Sequence, residues 1–248
     1  MRVPFVPNTV ILLLGMLIFV YLYALRSGNI DARYSPLPVI DLQSGSGWFV
    51  DWRLSALAQD KALCRAVMTE PLVTVTPVPD VPYDAQGCGY VNAVTLKQAG
   101  GAEIGASPVS CQAAAAFTLW VTQVVQPEAE RILGSRVTRI ADFGTYSCRN
   151  IIGGLFAKYG KHLETFAKGS TLSSHATANA MDVSAFSLAN GETIVIARDW
   201  NGGGPKAAFL RAVHDGACRY FRVTLGPDAN KEHHDHFHID RGFLRSCR

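Results

Sequence analysis

The sequence predicts an α+β fold, an antiparallel sheet flanked by helices, preceded by an N-terminal transmembrane helix. Short segments in which polar and apolar side chains alternate, the pattern of strands, outnumber segments with helical spacing. Most connections between these segments are too short for the crossovers that parallel strands require. The first part of the chain, 3–25, contains no charged residue.

The N-terminal apolar stretch predicts a membrane anchor. Residues 9–25 are almost wholly apolar, which is about the length that spans a hydrocarbon core, and Tyr21 and Tyr23 lie near one end as interfacial aromatics do. A cleaved signal peptide is the alternative, because Arg2 supplies a short basic region. The apolar run exceeds the usual signal core and no small-residue cleavage site follows it. We therefore predict an uncleaved anchor over 1–26, a spacer over 27–47 and a folded domain over 48–248.

The first half of the domain is predicted to mix helices with extended chain. Apolar residues at helical spacing predict a helix over 54–67. Four prolines within 71–82 exclude a helix there and predict extended chain or an edge strand. Alternation predicts a strand over 88–96.

A longer helix is predicted from its start and stop signals. Ser107 is a candidate N-cap and Pro108 a candidate first residue, with the helix continuing through 111–125. Pro127 either kinks this helix or opens a second short one, and Gly134 ends it.

The second half of the domain is predicted to contain most of the sheet. A glycine run at 202–204 followed by Pro205 breaks the chain before an amphipathic helix over 206–217. The segments 182–186 and 193–198 are close enough in sequence to form a hairpin. Strands are predicted over 137–143, 182–186, 193–198, 220–225 and 237–240.

Composition and cysteines indicate an exported domain. The 248 residues are 48% hydrophobic, and the net charge of +3 comes from scattered basic residues, which argues against nucleic acid as a partner. No C-x-x-C pair is present, so a zinc ribbon is disfavoured. Six widely spaced cysteines beyond an anchor predict three disulfides in an oxidising compartment, with six reduced thiols as the alternative. We expect a single-pass protein of the inner (cell) membrane whose soluble domain faces the periplasm or cell exterior. Fifteen pairings are open to the cysteines, Cys64, Cys88, Cys111, Cys148, Cys218 and Cys247.

A histidine-rich stretch, 232–240, predicts a metal site. It holds four of the seven histidines, and strand alternation would place His236, His238 and Asp240 on one face. Imidazole nitrogen is the commonest protein ligand for zinc and related metals. Further donors lie in the upstream stretch 173–182, so we predict that one site is built from both stretches.

Two histidines and one carboxylate with an open fourth position are how hydrolytic zinc sites are built. The separation of seven residues between His175 and Asp182 fits a loop that enters a strand. We therefore predict Zn²⁺ as cofactor, and the alternative is a buried polar network without metal. The predicted metal ligands are His175, Asp182 and His238.

Catalysis at such a site needs a group that accepts a proton from water and returns it to the leaving group. Asp235 and Glu232 are the candidates, and His236 can reach the site without binding the metal. Asp235 could instead hold a ligand histidine in place. His233 and His234 are expected in an exposed loop.

Three more residues have predicted roles. His214, on the amphipathic helix, is expected to be structural, as is His162. Trp200 is expected in a turn, where an exposed ring near the site would stack on sugar or peptide.

These motifs resemble a known group of enzymes. Ser173-x-His175-x6-Asp182 followed by Asp235-His236-x-His238 is similar to the LAS zinc peptidases, which include D-Ala-D-Ala carboxypeptidases, murein endopeptidases and the hedgehog signalling domains. The chain resembles the extensin-like C-terminal domain family more closely, over most of 88–247. The segments that carry this second resemblance are 144–150, 173–182, 199–203, 212–218 and 235–240.

The resemblance implies a LAS/hedgehog-like fold and roles for individual residues. Asp235 matches the catalytic carboxylate of the D-Ala-D-Ala peptidases, whereas Glu232 matches the spacing in hedgehog domains. The resemblance therefore leaves both residues as candidates for the catalytic base. Arg149 matches an arginine that grips a substrate carboxylate or carbonyl, a role that its forked donors suit. Ser173, also placed on the substrate-binding side, matches the serine that supports the loop before the first ligand. The same trio of metal ligands is implied.

The function expected from the resemblance is a membrane-anchored zinc metallopeptidase that hydrolyses an amide next to a D-amino acid in peptidoglycan. The alternative is a non-catalytic, metal-containing module that binds cell-wall material or a partner protein. One position departs from the peptidases, since Ala178 stands where they usually have glycine. That departure would tighten the loop and leaves the substrate class open.

Overall fold

One mixed sheet organises the described part of the chain and confirms the α+β class. The structure is a computed structural model that describes residues 8–27, 37–44, 49–69, 71–151 and 172–248. Its strands are β1 (Val73–Pro77), β2 (Ala93–Ala99), β3 (Ala102–Ser110), β4 (Val137–Asp142), β5 (Ala180–Leu188), β6 (Thr193–Val195), β7 (Val223–Leu225), β8 (Phe237–Asp240) and β9 (Ser246–Cys247).

The helices flank this sheet. Short 3₁₀ turns cover Ser174–Thr177 and Lys231–His233, and a π-helical turn covers Val121–Val125. The α-helices are α1 (Asn8–Ser27), α2 (Val50–Ser55), α3 (Lys61–Val67), α4 (Cys111–Trp120), α5 (Gln126–Leu133), α6 (Ile196–Asp199) and α7 (Pro205–Ala217).

The strand order is β1-β2-β3-β4-β5-β8-β7-β9, with β6 paired to β5. Two of the described pairs, β3 with β4 and β7 with β9, are parallel, so the expectation of an antiparallel sheet was wrong. The helical segment 111–133 connects β3 to β4 and is long enough for the crossover that a parallel pair requires.

The core lies between one face of the sheet and the helices. The ring of Trp120 is fully buried, contacts the rings of Phe117 and Phe186, and donates its Nε1–H to the carbonyl of Val213 at 2.8 Å. Because strand side chains alternate between faces, the polar residues of the same strands point to the opposite face. That opposite face carries the candidate site.

The predicted helix start at Ser107-Pro108 was wrong, because both residues lie inside β3. The N-cap is Ser110, whose hydroxyl accepts the N–H of Ala113. Pro127 lies in the first turn of α5, which is the second of the two alternatives, and Gly134 ends α5 in the left-handed conformation as predicted.

Other boundaries moved for local reasons. The helix predicted over 54–67 is two helices, because Asp60 caps α3 by accepting the N–H of Leu63. The strand predicted over 88–96 begins at Ala93. The strand predicted over 193–198 ends at Val195, since the carboxylate of Asp199 accepts its N–H and closes a helical turn.

Three disulfides are formed, as predicted, and the structure selects their pairing. Cys64 is bonded to Cys111, Cys88 to Cys148, and Cys218 to Cys247. The bond between Cys218 and Cys247 also holds the strand β9, which was not predicted, beside the end of α7.

The N-terminal predictions fare less well. A helix, α1, occupies the predicted segment, yet none of the helices in the described residues has the length and apolarity needed to cross a membrane. The membrane-anchor prediction is therefore not supported. Part of the predicted spacer packs on the domain, because Ile40 and Leu42 are buried in the core. Trp48 and His162 lie outside the described residues.

Candidate metal centre

Three buried side chains converge in the way that the sequence predicted. Nε2 of His175 lies 3.1 Å from Oδ1 of Asp182 and 3.2 Å from Nδ1 of His238. The third distance, between Nδ1 of His238 and Oδ1 of Asp182, is 2.9 Å. All three residues are less than 10% exposed.

Register and a short turn bring these atoms together. Asp182 on β5 and His238 on β8 are directly opposed across an antiparallel pair, where side chains on the same face lie within contact distance. His175 sits on the 3₁₀ turn Ser174–Thr177. The hydroxyl of Ser173 accepts the N–H of His175 at 3.3 Å, so this buried serine supports the turn.

Ala178 ends this turn in a left-handed conformation, with φ of 52°. That conformation favours glycine and costs an L-residue about 1–2 kcal/mol. The methyl group is fully buried and packs in a small cluster with Tyr90 and Ala93. Alanine in place of glycine therefore adds backbone strain at this position and adds a buried methyl group that packs against Tyr90 and Ala93.

Hydrogen bonds to the outer nitrogens fix which nitrogen of each histidine faces the centre. Nδ1–H of His175 donates to the carbonyl of Thr145 at 3.1 Å, and Nε2–H of His238 donates to Oδ2 of Asp240 at 3.1 Å. The inner nitrogens, Nε2 of His175 and Nδ1 of His238, both lie within 3.2 Å of Oδ1 of Asp182 and would present their lone pairs to a bound cation. Histidines that bind metals are held in this manner.

Two inward-facing imidazole nitrogens and a carboxylate at these distances can hold a cation between them. Burial raises the pKa of Asp182, but hydrogen bonds from His175 and His238 outweigh it and hold the pKa well below its usual range. Burial lowers the pKa of His238, but hydrogen bonds to Asp182 and Asp240 outweigh this effect and raise the pKa to about 9.

The donor set fits zinc. Ligand atoms about 2.0 Å from a tetrahedral ion lie about 3.3 Å from one another. The three observed separations of 2.9, 3.1 and 3.2 Å are close to that edge. Two imidazoles and one carboxylate are also the ligand types of hydrolytic zinc sites.

Beside this trio, His236 is held by Asp235. Nδ1–H of His236 donates to Oδ1 of Asp235 at 2.8 Å, and this hydrogen bond lowers the pKa of Asp235. Nε2 of His236 then points towards the centre, 3.6 Å from Oδ1 of Asp182. Glu232 is exposed and makes no hydrogen bond or ion pair with any described residue. The structure thus joins Asp235 to the site through His236 and leaves Glu232 outside it.

The loop after β4 supplies two more groups. The Nη2 atom of Arg149 lies 4.0 Å from Oδ2 of Asp182, and the arginine side chain is 38% exposed. Phe143 is 63% exposed, and its ring meets that of His236 at a centroid distance of 5.8 Å. The N–H of Phe143 donates to the carbonyl of Asp182 at 2.8 Å, which fixes this exposed ring beside the centre.

Two minor predictions need correction and one holds. His233 is half-buried against the rings of His236 and His238, and burial lowers its pKa to about 4. Trp200 is buried against Phe237, because the helix that follows β6 turns it into the core. His214 is buried, as expected of a structural residue.

Sequence reasoning assigned no role to Asp240, Thr145 or Phe143. Asp240 had a visible signal, since it stands two residues from His238 on the same strand face. Thr145 contacts His175 through its backbone carbonyl, and a backbone contact cannot be predicted from the type of residue. The exposed ring of Phe143 stood in a segment predicted to be a strand.

A second set of possible metal donors, Asp84 with Cys88 and Cys148, is present in the described residues. Both sulfurs are consumed in a disulfide, so neither is available as a thiolate. The histidine site is the stronger candidate.

Comparison with known proteins gives one match. A family model described as the extensin-like protein C-terminus matches residues 62–248, three quarters of the chain. No curated protein and no solved structure matched. The matched range contains every residue of the centre, from the loop with Thr145 to Asp240, and excludes α1 and α2.

Proposed function

The chain belongs to the extensin-like protein C-terminus family, and we propose that it is a zinc-dependent hydrolase that cleaves an amide bond in D-amino-acid-containing peptides of the cell wall. The observation that carries the proposal is the convergence of two imidazole nitrogens and one carboxylate at 2.9–3.2 Å, beside a histidine held by Asp235. Such a set binds a divalent metal and places a base next to it.

Each residue has a chemical task. A zinc ion held by His175, Asp182 and His238 would supply Lewis acidity, which polarises a carbonyl and lowers the pKa of water towards neutrality. Asp235 holds His236 so that Nε2 accepts a proton from the attacking water and returns it to the leaving amine, as in other carboxylate-oriented imidazoles. Arg149, with its forked donors beside Asp182, binds a carboxylate or carbonyl of the substrate.

The substrate class follows from resemblance and compartment. The motifs that surround the centre resemble those of D-Ala-D-Ala carboxypeptidases and murein endopeptidases. Three disulfides favour an oxidising compartment, such as the periplasm or cell exterior, and that is where cell-wall peptides are found. Peptidoglycan peptides are therefore the proposed partner.

The second candidate function is a non-catalytic, metal-containing binding module. One observation favours it: among the described residues, neither Asp235 nor Glu232 contacts a metal-binding atom. A hydrolase would then depend on His236 as its base.

Metal content and hydrolysis, measured on the same preparations of the full chain, test the proposal. We expect one zinc ion per chain in the wild type and none in His238→Ala. His236→Ala should retain zinc and lose hydrolysis of muropeptides. Arg131→Ala, which removes an exposed side chain that pairs with Glu128 on α5, should change neither and is the control.

The outcomes separate the candidates. A wild type that binds no zinc after zinc is supplied overturns the metal site. A wild type that binds zinc and muropeptides without hydrolysing them is the binding module.

A further inference from the structure

A charged cleft lies apart from the metal centre, between the strands β1 to β4. Its volume is about 400 Å³. The side chains that line it come from four adjacent strands and are mostly polar. They are those of Thr74, Lys97, Gln98, Glu103, Ile104 and Arg139, with the backbone of Gly105 between them.

Irregular strand pairing opens this cleft. In β3 and β4 the described pairing is the single pair Glu103 and Arg139. Between β2 and β3 the register shifts around Gly105, which has φ of +83°. A Cβ placed on Gly105 would meet no atom within 4 Å, so the glycine leaves the floor of the cleft open. Such bulges commonly re-aim side chains near functional sites.

Three exposed charges face this cleft without partners. Among the described residues, the side chains of Lys97, Glu103 and Arg139 make no hydrogen bond and no ion pair within 4.0 Å. Two cations beside one carboxylate match a ligand that carries the opposite charges, a carboxylate next to an ammonium group. Charge-assisted hydrogen bonds, such as those from the fork of Arg139 to a carboxylate, are roughly twice as strong as neutral ones.

The cleft and the metal centre share one face of the sheet. Lys97, Glu103 and Arg139 alternate with core residues of β2, β3 and β4, just as Asp182 alternates with core residues of β5. Arg139 is paired with Ser187, five residues along β5 from Asp182. At about 3.3 Å per residue, the two sites are roughly 16 Å apart along the strand.

We propose that the cleft is a remote subsite for the charged end of a peptide whose other end lies at the metal centre. Arg139 and Lys97 bind the carboxylate of that end, and Glu103 binds its ammonium group. An extended chain covers about 3.3–3.6 Å per residue, so about five residues span the distance along the strand from Asp182 to Arg139, the cleft residue on the strand next to β5. The inference rests on the proposed function, and it adds a requirement for length and for a distal zwitterionic residue.

Peptides of two lengths test this requirement. The zinc-loaded full chain carrying His236→Ala binds peptide without consuming it, and binding is measured by calorimetry. The probes are D-alanyl-D-alanine, a pentapeptide that ends in the same dipeptide and begins with an unblocked glutamate, and an acetylated version of it that begins with glutamine. We expect the charged pentapeptide to bind about tenfold more tightly than either other probe.

Variants of the cleft residues test whether the tighter binding of the charged pentapeptide arises at the cleft. Lys97→Gln combined with Arg139→Gln should remove the tenfold gain and leave binding of the dipeptide unchanged. Arg136→Gln is the matched control, because Arg136 is an exposed arginine directly before β4, does not line the cleft, and pairs with Glu130 instead. Lys97→Arg should preserve the gain.

The results distinguish the two proposals. Equal affinities for all three probes, or a gain that survives in the double variant, overturn the subsite and leave the proposed function standing. If the zinc-loaded protein binds neither the dipeptide nor the pentapeptides, the proposed function fails and the subsite fails with it.

Discussion

Asp240 determines which nitrogen of His238 faces the metal position. Its Oδ2 accepts the Nε2–H of His238, and its Oδ1 accepts the N–H of Gly242 at 2.7 Å. Partners of this kind typically contribute 10–100-fold to metal affinity.

We therefore expect Asp240→Ala to lower zinc affinity about 10–100-fold, because the ring of His238 loses its fixed tautomer and orientation. Competition with a chelator measures the affinity, and circular dichroism checks that the variant is folded. Glu192→Ala, which removes an exposed carboxylate from a surface ion pair, is the control and should leave affinity unchanged. Unchanged affinity in Asp240→Ala would show that this hydrogen bond does not support the centre.

The two acidic residues before His238 differ in their contacts, and a pair of variants separates them. Asp235→Asn should lower kcat about 100-fold or more, because His236 loses the carboxylate that orients it. Glu232→Gln should change kcat by no more than about twofold. Zinc content should be normal in both variants. The reverse pattern would make Glu232 the base and remove the role given to Asp235.

At this scale the sequence predicted three side chains, those of His175, Asp182 and His238, whose polar atoms the structure brings within 3.2 Å of one another, because ligand types and spacing follow from coordination chemistry. It left the choice between Asp235 and Glu232 open, because both stand close to His238 in sequence. The direction in which each carboxylate points depends on the turn before β8, and spacing alone does not contain that direction.

At the scale of elements, the loop after β4 connects the centre to a disulfide. The N–H of Ser147 donates to the carbonyl of His175 at 3.2 Å, and the N–H of Ser173 donates to the carbonyl of Arg149 at 3.0 Å. Cys148 stands between these contacts and is bonded to Cys88. The disulfide therefore holds the loop that carries the carbonyl of Thr145 and the guanidinium of Arg149.

Removal of two different disulfides should have different effects. Replacing Cys88 and Cys148 by serine should lower both the melting temperature and the zinc affinity, because the loop loses its attachment beside His175. Replacing Cys218 and Cys247 should cost about 2–5 kcal/mol of unfolding free energy and leave zinc affinity unchanged. Thermal unfolding and zinc titration of both variants make the comparison. Equal zinc affinities would show that the loop is held without Cys88–Cys148.

Elements were predicted best where several signals agree. Pro205 at the start of α7 and the alternation of β8 both gave correct elements. The start of α4 was wrong because Ser107-Pro108 and Ser110 are competing local signals, and pairing of β3 with β2 decides between them. The parallel pair β3 and β4 was missed because a crossover depends on contacts between distant segments.

At the scale of the whole molecule, a buried charge cluster joins the two ends of the domain. Arg241, directly after Asp240, is fully buried, and its guanidinium lies 2.9 Å from Oδ1 of Asp51 on α2. Arg222 donates to the same oxygen at 2.8 Å. Asp51 lies outside the range that the family model matches and is 190 residues from Arg241 in sequence, so no local pattern predicts the contact. The segment that holds Asp240 thus depends on α2.

Asp51→Asn should destabilise the full chain by about 3 kcal/mol or more, because two buried guanidinium groups lose the carboxylate they share. Urea unfolding of the zinc-free protein measures this cost. Asp80→Asn is the matched control: it removes an ion pair with exposed Lys61, and it should cost at most about 1 kcal/mol. Zinc affinity should fall in Asp51→Asn alone, because the turn after Asp240 shifts when Arg241 moves. If the two variants have equal stability and equal zinc affinity, α2 does not support the metal centre, and the range 62–248 carries the site by itself.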